Sequence, residues 1–512
     1  MENKLTWDDD KLDRQDQANV ITAFLENEYK TRFYSKDKEC RYVLNIDSQW
    51  GYGKTFFLKR WKQDLQEKKH IVLYYDAWEN DFSKDPLLSF LSEITNQLLN
   101  KIDSTSAGNA HRVTEFKEKA RKLAIASAGI LSKKALSALI FGLLTGVPST
   151  RLFDSLSFQK EGVEEEEEEG REKSDKQTAE KIANELSSQL SNDIFDKENS
   201  RKKIIEDFKN SLSNVIECIK EENQALPIFI FIDELDRCRP NFTIDIIECV
   251  KHIFSVNHLF FVFATDGDQL QATLEKCYGQ KFDAEIYFKK IFDREIQLRE
   301  PDNRQFVDYL EEKYLSSIQS QYIESIGKLE HLDSDCSGIK SDIIGISESF
   351  NLSLRDQEQV CASLDALIKA RTELGEKTHT LFACFFIVLW IKKKSLFLDL
   401  YRLEKYRNST QFTNALSSNF PNRKTSLKFS FINRARDGRR TNKSIDELIF
   451  YYITMMHTTV NERMGSLRQN RNQISEVMAF NRLDEEFIEI SNRNKQTPEN
   501  PLKTHLKQIM YL

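Results

Sequence analysis

Short, uninterrupted runs of apolar residues recur through the first three hundred positions of the chain. They are Tyr42–Ile46, Ile71–Tyr75, Ile228–Ile232 and Leu259–Thr265, with Arg294–Leu298 as a shorter fifth candidate. Runs of this length without regular polar alternation are typical of strands buried on both faces of a parallel sheet. The pattern therefore predicts five strands.

Apolar residues at helical spacing separate these runs. The predicted helices lie around 20–25, over 55–65, from Pro86 onward, over 244–254 and up to about 292. Strands that alternate with helices indicate an α/β fold with a mostly parallel sheet. Such sheets bind their ligands at the carboxyl ends of the strands.

From Pro301 onward the pattern is nearly all helical. Phe306–Leu315 and Gln357–Ala370 are amphipathic, whereas Leu381–Ile391 is apolar throughout. Eleven apolar residues are too few to span a bilayer, so we expect a buried core helix at 381–391. A C-terminal helical extension is predicted to begin at Ile445–Met456.

Residues 104–200 interrupt the alternation and are predicted to be an insertion. An alanine-rich basic stretch leads into the apolar segment Ala135–Val147, and an acidic run follows at Glu164–Glu169. The apolar segment reaches membrane-spanning length only if it starts at Leu123, which places two lysines mid-span. A buried or partner-binding hairpin, a membrane-surface helix and a re-entrant or spanning element all stay open. The acidic run is expected to be a solvated linker.

These boundaries predict three parts. Residues 1–300 form an α/β domain that contains the insertion, 301–440 form a helical lid, and 441–512 form a C-terminal helical extension.

Composition narrows the class of protein. The chain has 512 residues and a net charge of −7, which gives no support for a nucleic-acid footprint over the whole protein. None of the eight cysteines forms C-x-x-C, and the eight histidines include no H-E-x-x-H. We therefore expect neither a zinc site nor a disulfide framework. The cysteine usage instead favours the reducing cytosol as the location of the protein. The N-terminus does not read as a signal peptide.

The sequence S-Q-W-G-Y-G-K-T at 48–55 directly follows the first predicted strand. Gly51 and Gly53 let the backbone curl so that successive N–H groups can point at one anion. Lys54 can then reach the β- and γ-phosphates of a nucleotide, and the Thr55 hydroxyl can bind Mg²⁺. Ser48 stands where the Walker A pattern G-x-x-x-x-G-K-[ST] has its first glycine. An ordinary glycine turn before a helix is the alternative.

A second motif, P-I-F-I-F-I-D-E-L-D at 227–236, places Asp233 and Glu234 at the end of a predicted buried strand. Two adjacent carboxylates are costly to bury without a cation, and a Mg²⁺–nucleotide complex removes that cost. In this Walker B arrangement Asp233 holds the metal and Glu234 polarises the attacking water. The alternative is a strand end whose acids face solvent.

These motifs together resemble the KAP family of P-loop NTPases. The resemblance is carried by Q-W-G-Y-G-K-T (49–55), Y-D-A-W-E-N-D-F-S-K-D-P (75–86), F-I-D-E-L-D-R-C (231–238), F-A-T-D (263–266) and Y-F-K-K-I-F (287–292). It implies an α/β P-loop NTPase fold of the class with a catalytic glutamate.

The resemblance also implies roles for individual residues. Nucleotide contacts are expected from Ser48, Gln49, Trp50, Gly51, Tyr52, Gly53, Lys54, Thr55 and Phe56. Thr55 and Asp233 are expected to hold Mg²⁺, Glu234 is the expected catalytic base, and Thr265 or Asp266 takes the sensor position. Asp76–Trp78 are expected to pack at the sheet edge, and Asp236 and Arg237 to form an ion pair.

Four arginines are candidates for contact with the γ-phosphate. Arg355 resembles the arginine that opens a lid helix in related ATPases, although a helix-surface arginine is the alternative. Arg294, Arg237 and Arg239 are candidates for an arginine finger supplied to a neighbouring copy, because stabilising the transition-state charge in this way raises rates strongly.

The function implied is ATP binding and hydrolysis with Mg²⁺, in a molecular switch or energy-transducing subunit. Some bacterial members of the family act against phage or plasmids, and a Qat-like defence ATPase is the expected subgroup. Alternatives are a nucleotide-gated scaffold with little turnover and a motor stimulated by nucleic acid. Expected partners are other proteins of a defence complex and further copies of the chain. The expected location is cytoplasmic, with peripheral attachment to the inner membrane through 123–147 as an option.

Overall fold

The computed structural model divides the chain into two compact units, residues 1–299 and 300–512. The described residues are 5–35, 40–83, 85–102, 107–127, 194–221, 224–279, 282–300, 302–325, 328–330, 338–402, 408–432, 440–469, 483–486, 488–489, 492 and 500–511. The predicted boundary at 440 between a lid and an extension stays a prediction.

The first unit is built on a five-stranded sheet. Its strands are β1 (Tyr42–Asp47), β2 (His70–Asp76), β3 (Ala225–Asp233), β4 (Leu259–Thr265) and β5 (Arg294–Gln297). They lie in the order β2-β3-β4-β1-β5, and every neighbouring pair is parallel. The predicted α/β fold and all five predicted strands are confirmed, and no strand end differs from its prediction by more than three residues.

The apolar strand runs are explained by the helices that cover both faces of the sheet. The helices of this unit are α1 (Arg14–Tyr34), α2 (Lys54–Glu67), α3 (Ala77–Asn80), α4 (Pro86–Leu99), α5 (Ala107–Ser127), α6 (Ile194–Glu221), α7 (Pro240–His252), α8 (Gly267–Tyr278) and α9 (Ala284–Lys289). Phe229 and Phe231 of β3 share one core with Trp61 of α2. Ile230, between them, belongs to a second core on the opposite face.

The edges of the predicted insertion belong to that second core. Helices α5 and α6 pack together, and the rings of Phe116 and Phe208 lie 5.6 Å apart. Leu123 is only 1% exposed. Residues 128–193, which include most of the candidate membrane segment and the acidic run, lie outside the described residues. In the described part of the chain, no helix has the length and apolarity that crossing a bilayer requires.

Residues 483–486 of the second unit are helical, and nine longer helices have defined bounds. They are α10 (Asn303–Leu310), α11 (Ile339–Ser349), α12 (Leu354–Glu373), α13 (Thr380–Lys392), α14 (Lys394–Arg402), α15 (Ser409–Asn419), α16 (Ile445–Met456), α17 (Val460–Gln469) and α18 (Pro501–Tyr511). As predicted, the apolar stretch at 381–391 is a core helix, because Leu381–Leu389 are at most 3% exposed.

The prediction that this half is nearly all helical was incomplete. The short strands β6 (Ile323–Glu324) and β8 (Thr378–His379) pair in parallel, and β7 (Lys328–Leu329), β9 (Lys428–Ile432) and β10 (Arg440–Ser444) form a second small sheet. Strands of two to five residues leave little periodic signal. The helix predicted over 306–315 also changes to a π-helical turn at Glu311–Leu315.

Candidate functional site

The loop between β1 and α2 has the backbone geometry of a phosphate-binding turn. Gly51 and Gly53 have φ of 84° and 89°, values that favour glycine over other residues. Helix α2 begins at Lys54, so the positive end of the helix adjoins the loop. An anion bound in the loop would therefore meet backbone N–H groups at a helix N-terminus.

Lys54 joins this loop to the acidic turn that follows β3. Its side chain is 9% exposed, and Nζ donates a 2.5 Å hydrogen bond to the carbonyl oxygen of Ser48. Nζ also lies 3.8 Å from Oδ2 of Asp236. The ammonium group is thus held at the loop by one carbonyl and one carboxylate.

Asp233 is buried at the carboxyl end of β3. It is 1% exposed, and its Oδ2 accepts a 2.6 Å hydrogen bond from the Tyr74 hydroxyl on β2. Its Oδ1 accepts from the backbone N–H of Glu234 at 2.9 Å. Burial, followed by the nearby Asp233 charge, raises the pKa of Tyr74, so the phenol stays protonated as the donor.

Glu234 brings the second motif into contact with the loop. Its φ is 60°, a left-handed conformation that is unusual for a residue other than glycine. Its Oε1 accepts a 3.1 Å hydrogen bond from the Thr55 hydroxyl, and its Oε2 pairs with Nε of Arg237. Burial raises the pKa of Glu234, as does the Asp233 carboxylate, whereas Arg237 and Thr55 oppose this rise.

A network that the sequence did not reveal connects three segments at the same edge of the sheet. Oδ2 of Asp236 accepts from the Trp50 indole at 2.5 Å and from the backbone N–H of Asp266 at 3.0 Å. In turn, Oδ2 of Asp266 accepts from the Trp50 backbone N–H at 3.0 Å. The predicted ion pair between Asp236 and Arg237 is therefore wrong, since these residues use Trp50 and Glu234 instead. Burial raises the pKa of Asp266.

Residues 34–369, well over half of the chain, match the model described as the KAP family P-loop domain. The chain belongs to this family. It therefore carries a nucleotide-binding P-loop NTPase domain.

Two further comparisons add little to this assignment. No curated protein matches the KAP-family chain. Among solved structures it is similar to "Structure of the Aeropyrum Pernix ORC2 protein (ADPNP-ADP complexes)", with 10% identity and a TM-score of 0.32, over 86% of this chain and 95% of that chain. A TM-score this low supports no conclusion about function.

The remaining loop positions of the KAP domain have structural contacts. The backbone N–H of Ser48 donates to the Thr265 carbonyl at 3.0 Å, and the carbonyl of Gln49 accepts from Tyr52 at 3.4 Å. The ring of Phe56 lies 3.6 Å below the guanidinium of Arg60. The predicted contacts of Ser48, Gln49, Tyr52 and Phe56 with a nucleotide stay predictions.

The structure also gives the contacts of the two candidate sensor residues and of Asp76–Trp78 at the edge of the sheet. The Thr265 hydroxyl donates to Oδ1 of Asn45 at 2.9 Å, which leaves Asp266 as the residue directed towards the loop. Asp76 accepts from the backbone N–H of Glu79 and so caps α3. Ala77 is fully buried, whereas Trp78 is 57% exposed.

Arg294 is not brought to the loop, and Arg355 belongs to the second unit. Arg294 lies at the amino end of β5, with its guanidinium 4.8 Å from the Phe24 ring. It is three residues before Gln297, which pairs with Asp47, so it lies about 10 Å along the strand from the carboxyl edge. Arg355 is exposed in the first turn of α12 in the second unit. Both roles stay predictions.

Arg14 is a buried residue near the loop that sequence reasoning missed. Its Nη2 donates to the Tyr52 carbonyl at 3.1 Å and its Nη1 to the Arg299 carbonyl at 2.6 Å. Gln17, one turn later, bonds the carbonyl of Gln297 and the N–H of Arg299. Burial lowers the pKa of Arg14 to about 10. A lone arginine in a polar N-terminal segment gives no sequence signal for this position.

The oxygen atoms at this edge fit Mg²⁺. The Thr55 hydroxyl and the Asp233 and Glu234 carboxylates are hard donors of the kind that this ion prefers. Within the described ranges, no three His, Cys, Asp or Glu side chains form a dedicated metal cluster. Mg²⁺ in nucleotide sites commonly uses one or two protein ligands together with phosphates and water, so the donor set is suitable.

Proposed function

We propose that this KAP-family protein binds ATP with Mg²⁺ and hydrolyses it. The observation that carries the proposal is the 3.1 Å hydrogen bond between Thr55 and Glu234. It joins the loop that would hold the phosphates to the strand end that would supply the base, although the two lie 179 positions apart. The preference for ATP rests on the family.

Each of the described residues has a distinct task in this scheme. Lys54 would leave the Ser48 carbonyl to contact the β- and γ-phosphates, and Thr55 and Asp233 would hold Mg²⁺. The metal would neutralise charge on the phosphate oxygens when bound. Glu234 would orient the attacking water and accept its proton. Tyr74 would fix the Asp233 carboxylate through its hydrogen bond.

Two substitutions test this proposal. Lys54→Ala is expected to abolish ATP binding in isothermal titration calorimetry, and Glu234→Gln is expected to preserve binding but stop phosphate release. Lys59→Ala, on the exposed side of α2, and Glu285→Gln, which is 79% exposed, are the matched controls. Hydrolysis that survives both site substitutions would refute the assignment.

A nucleotide-gated switch with little turnover is the second candidate. It is favoured by the fact that both Glu234 oxygens have partners within the protein. If occupancy alone matters, Glu234→Gln retains biological activity and Lys54→Ala loses it. If turnover matters, both variants lose it.

A role in bacterial anti-phage or anti-plasmid defence is the finer proposal, and it rests on the family resemblance. Bacteria that carry the gene in its native neighbourhood should resist a phage panel, and the Lys54→Ala allele should remove that resistance. Proteins co-purified with the Glu234→Gln variant would identify the partners of the complex. Size exclusion with and without ATP would test self-association.

We also propose a cytoplasmic location. Fractionation of cells that express the full chain separates soluble protein from protein bound peripherally through 123–147, and removal of 128–147 should release any bound fraction.

A further inference from the structure

Arg237 occupies one oxygen of the carboxylate that would serve as the base. Nε of Arg237 pairs with Oε2 of Glu234, while the Thr55 hydroxyl takes Oε1. The two charged side chains are only 25% and 15% exposed, so water screens this pair less than a surface pair.

This arrangement restrains base catalysis. A general base must direct an oxygen lone pair at the attacking water, within hydrogen-bond distance. A carboxylate that is paired with a guanidinium is also held in a fixed direction by a directional, charge-assisted contact. Glu234 in this arrangement is therefore poorly placed to accept a proton from water.

Arg237 contacts a second group while it pairs with Glu234. Its guanidinium carbon lies 5.4 Å from the ring centre of Trp78, in a cation–π arrangement. Trp78 is 57% exposed and does not contact the Glu234 carboxylate through any described hydrogen bond. Such a contact is comparable in strength to a partly exposed ion pair.

We propose that Arg237, held beside Glu234 by its contact with Trp78, is a positioning residue that restrains Glu234, and that turnover requires Arg237 to leave the carboxylate. This inference rests on the proposed ATP hydrolysis. In this scheme Arg237, in the turn after β3, controls the rate of the chemical step and does not affect nucleotide binding.

Arg239 provides a matched control in the same turn. It carries the same charge two positions away, but its guanidinium is held by Asp81, with Nε 3.0 Å from Oδ1, and by the Ser83 carbonyl at 2.8 Å. Loss of this arginine removes a positive charge near the site without releasing Glu234.

The experiment measures kcat and KM for ATP in the full chain. Arg237→Ala is expected to raise kcat about fivefold with little change in KM, the effect of removing an interaction of about 1 kcal/mol. Arg237→Lys, which keeps the charge, should restore much of the restraint. Arg239→Ala leaves the Glu234–Arg237 pair in place and should not raise kcat. Glu234→Gln should abolish turnover in the Arg237→Ala background as well.

Trp78→Ala tests the same inference without removing either member of the ion pair. It removes a contact that holds Arg237 beside Glu234, so kcat should rise about twofold to threefold, in the same direction as in Arg237→Ala but by less. The double variant should behave like Arg237→Ala alone. Because Trp78 is exposed, its loss leaves the core intact, and this test holds even if Arg237→Ala folds poorly.

The outcomes separate the two proposals. If the unmodified protein hydrolyses ATP through Glu234 but Arg237→Ala is equally active or slower, the restraint is disproved and the ATPase stands. If neither protein hydrolyses ATP although both bind it, the ATPase assignment itself fails, and the restraint fails with it.

Discussion

The indole nitrogen of Trp50 donates a 2.5 Å hydrogen bond to Oδ2 of Asp236, which ties the phosphate loop to the turn after β3. The same oxygen accepts from the backbone of Asp266 and lies 3.8 Å from Nζ of Lys54. Loop, strand end and sensor segment therefore share one acceptor atom. A displacement of any one of these segments would therefore alter the contacts that the other two make with Asp236.

This relationship predicts that Trp50→Phe weakens nucleotide binding. The ring is kept but the N–H donor is lost, and one hydrogen bond to a charged acceptor is worth about 1.5–3 kcal/mol. We expect the Kd for ADP to rise at least about tenfold in isothermal titration calorimetry. Trp390→Phe, in the second unit, is the control and should bind normally. An unchanged Kd in Trp50→Phe would mean that the bridge does not support the loop.

Loss of the Tyr74 hydroxyl is expected to weaken the response to Mg²⁺. This group fixes Oδ2 of Asp233, and partners of metal ligands typically contribute tenfold or more to metal affinity. In Tyr74→Phe the Mg²⁺ concentration for half-maximal hydrolysis should rise about tenfold. Tyr29→Phe, which loses a hydroxyl contact to His258, should leave the Mg²⁺ titration unaltered. A similar shift in both variants would point to a general loss of stability.

Gly345→Ala is expected to destabilise the second unit. A Cβ at this position would lie 2.9 Å from Cζ of Phe429, a ring that is fully buried. Overpacking of this kind typically costs about 1–3 kcal/mol. Differential scanning calorimetry of the full chain should show a lower transition temperature. Phe429→Leu in the Gly345→Ala background should recover part of the loss by making room for the methyl group. Gly465→Ala, where no atom lies near the new Cβ, is the control.

The second unit should lose stability in mild acid through His505. Burial lowers the pKa of this histidine well below 6.5, and the Arg371 charge and His379 act in the same direction. The folded state therefore holds His505 neutral, while the unfolded chain takes up a proton below about pH 6.5. Stability from this group is present above that pH and falls by about 1.4 kcal/mol per pH unit below it.

Hydrogen exchange of the α13 amides between pH 7 and pH 5 measures this loss. In His505→Leu the pH dependence should be shallower by about one proton. His252→Leu, a histidine of α7 in the first unit, should leave the α13 profile as it is. If the pH dependence of exchange is the same in the unmodified protein and in His505→Leu, a group other than His505 causes the loss of stability in acid.

The sheet and the two nucleotide motifs were predictable because their signals are local. Ile228–Ile232 are apolar in an unbroken run because both faces of β3 are covered by helices. Gly51 and Gly53 are needed wherever φ is positive, so the loop conformation is visible in the residue types. In a parallel sheet the strand ends meet at one edge, and this brings Glu234 to Thr55.

The partners of the charged side chains were not predictable in the same way. Asp236 and Arg237 are neighbours in sequence, which suggested an ion pair. The left-handed backbone at Glu234 and the short 3₁₀ turn after it direct the two side chains apart, towards Trp50 and Glu234. The residue types give no indication that Glu234 adopts a left-handed backbone conformation. The strands β6 to β10 were missed because each has at most five residues.

The pair of bonds from Arg14 has a mechanical consequence. One guanidinium holds the carbonyl of Tyr52 in the loop and the carbonyl of Arg299, the residue after which the second unit begins. A guanidinium is rigid and planar, so its two nitrogens keep a fixed separation. The Tyr52 and Arg299 carbonyls are therefore coupled through a single side chain, and loss of Arg14 would remove both hydrogen bonds at once.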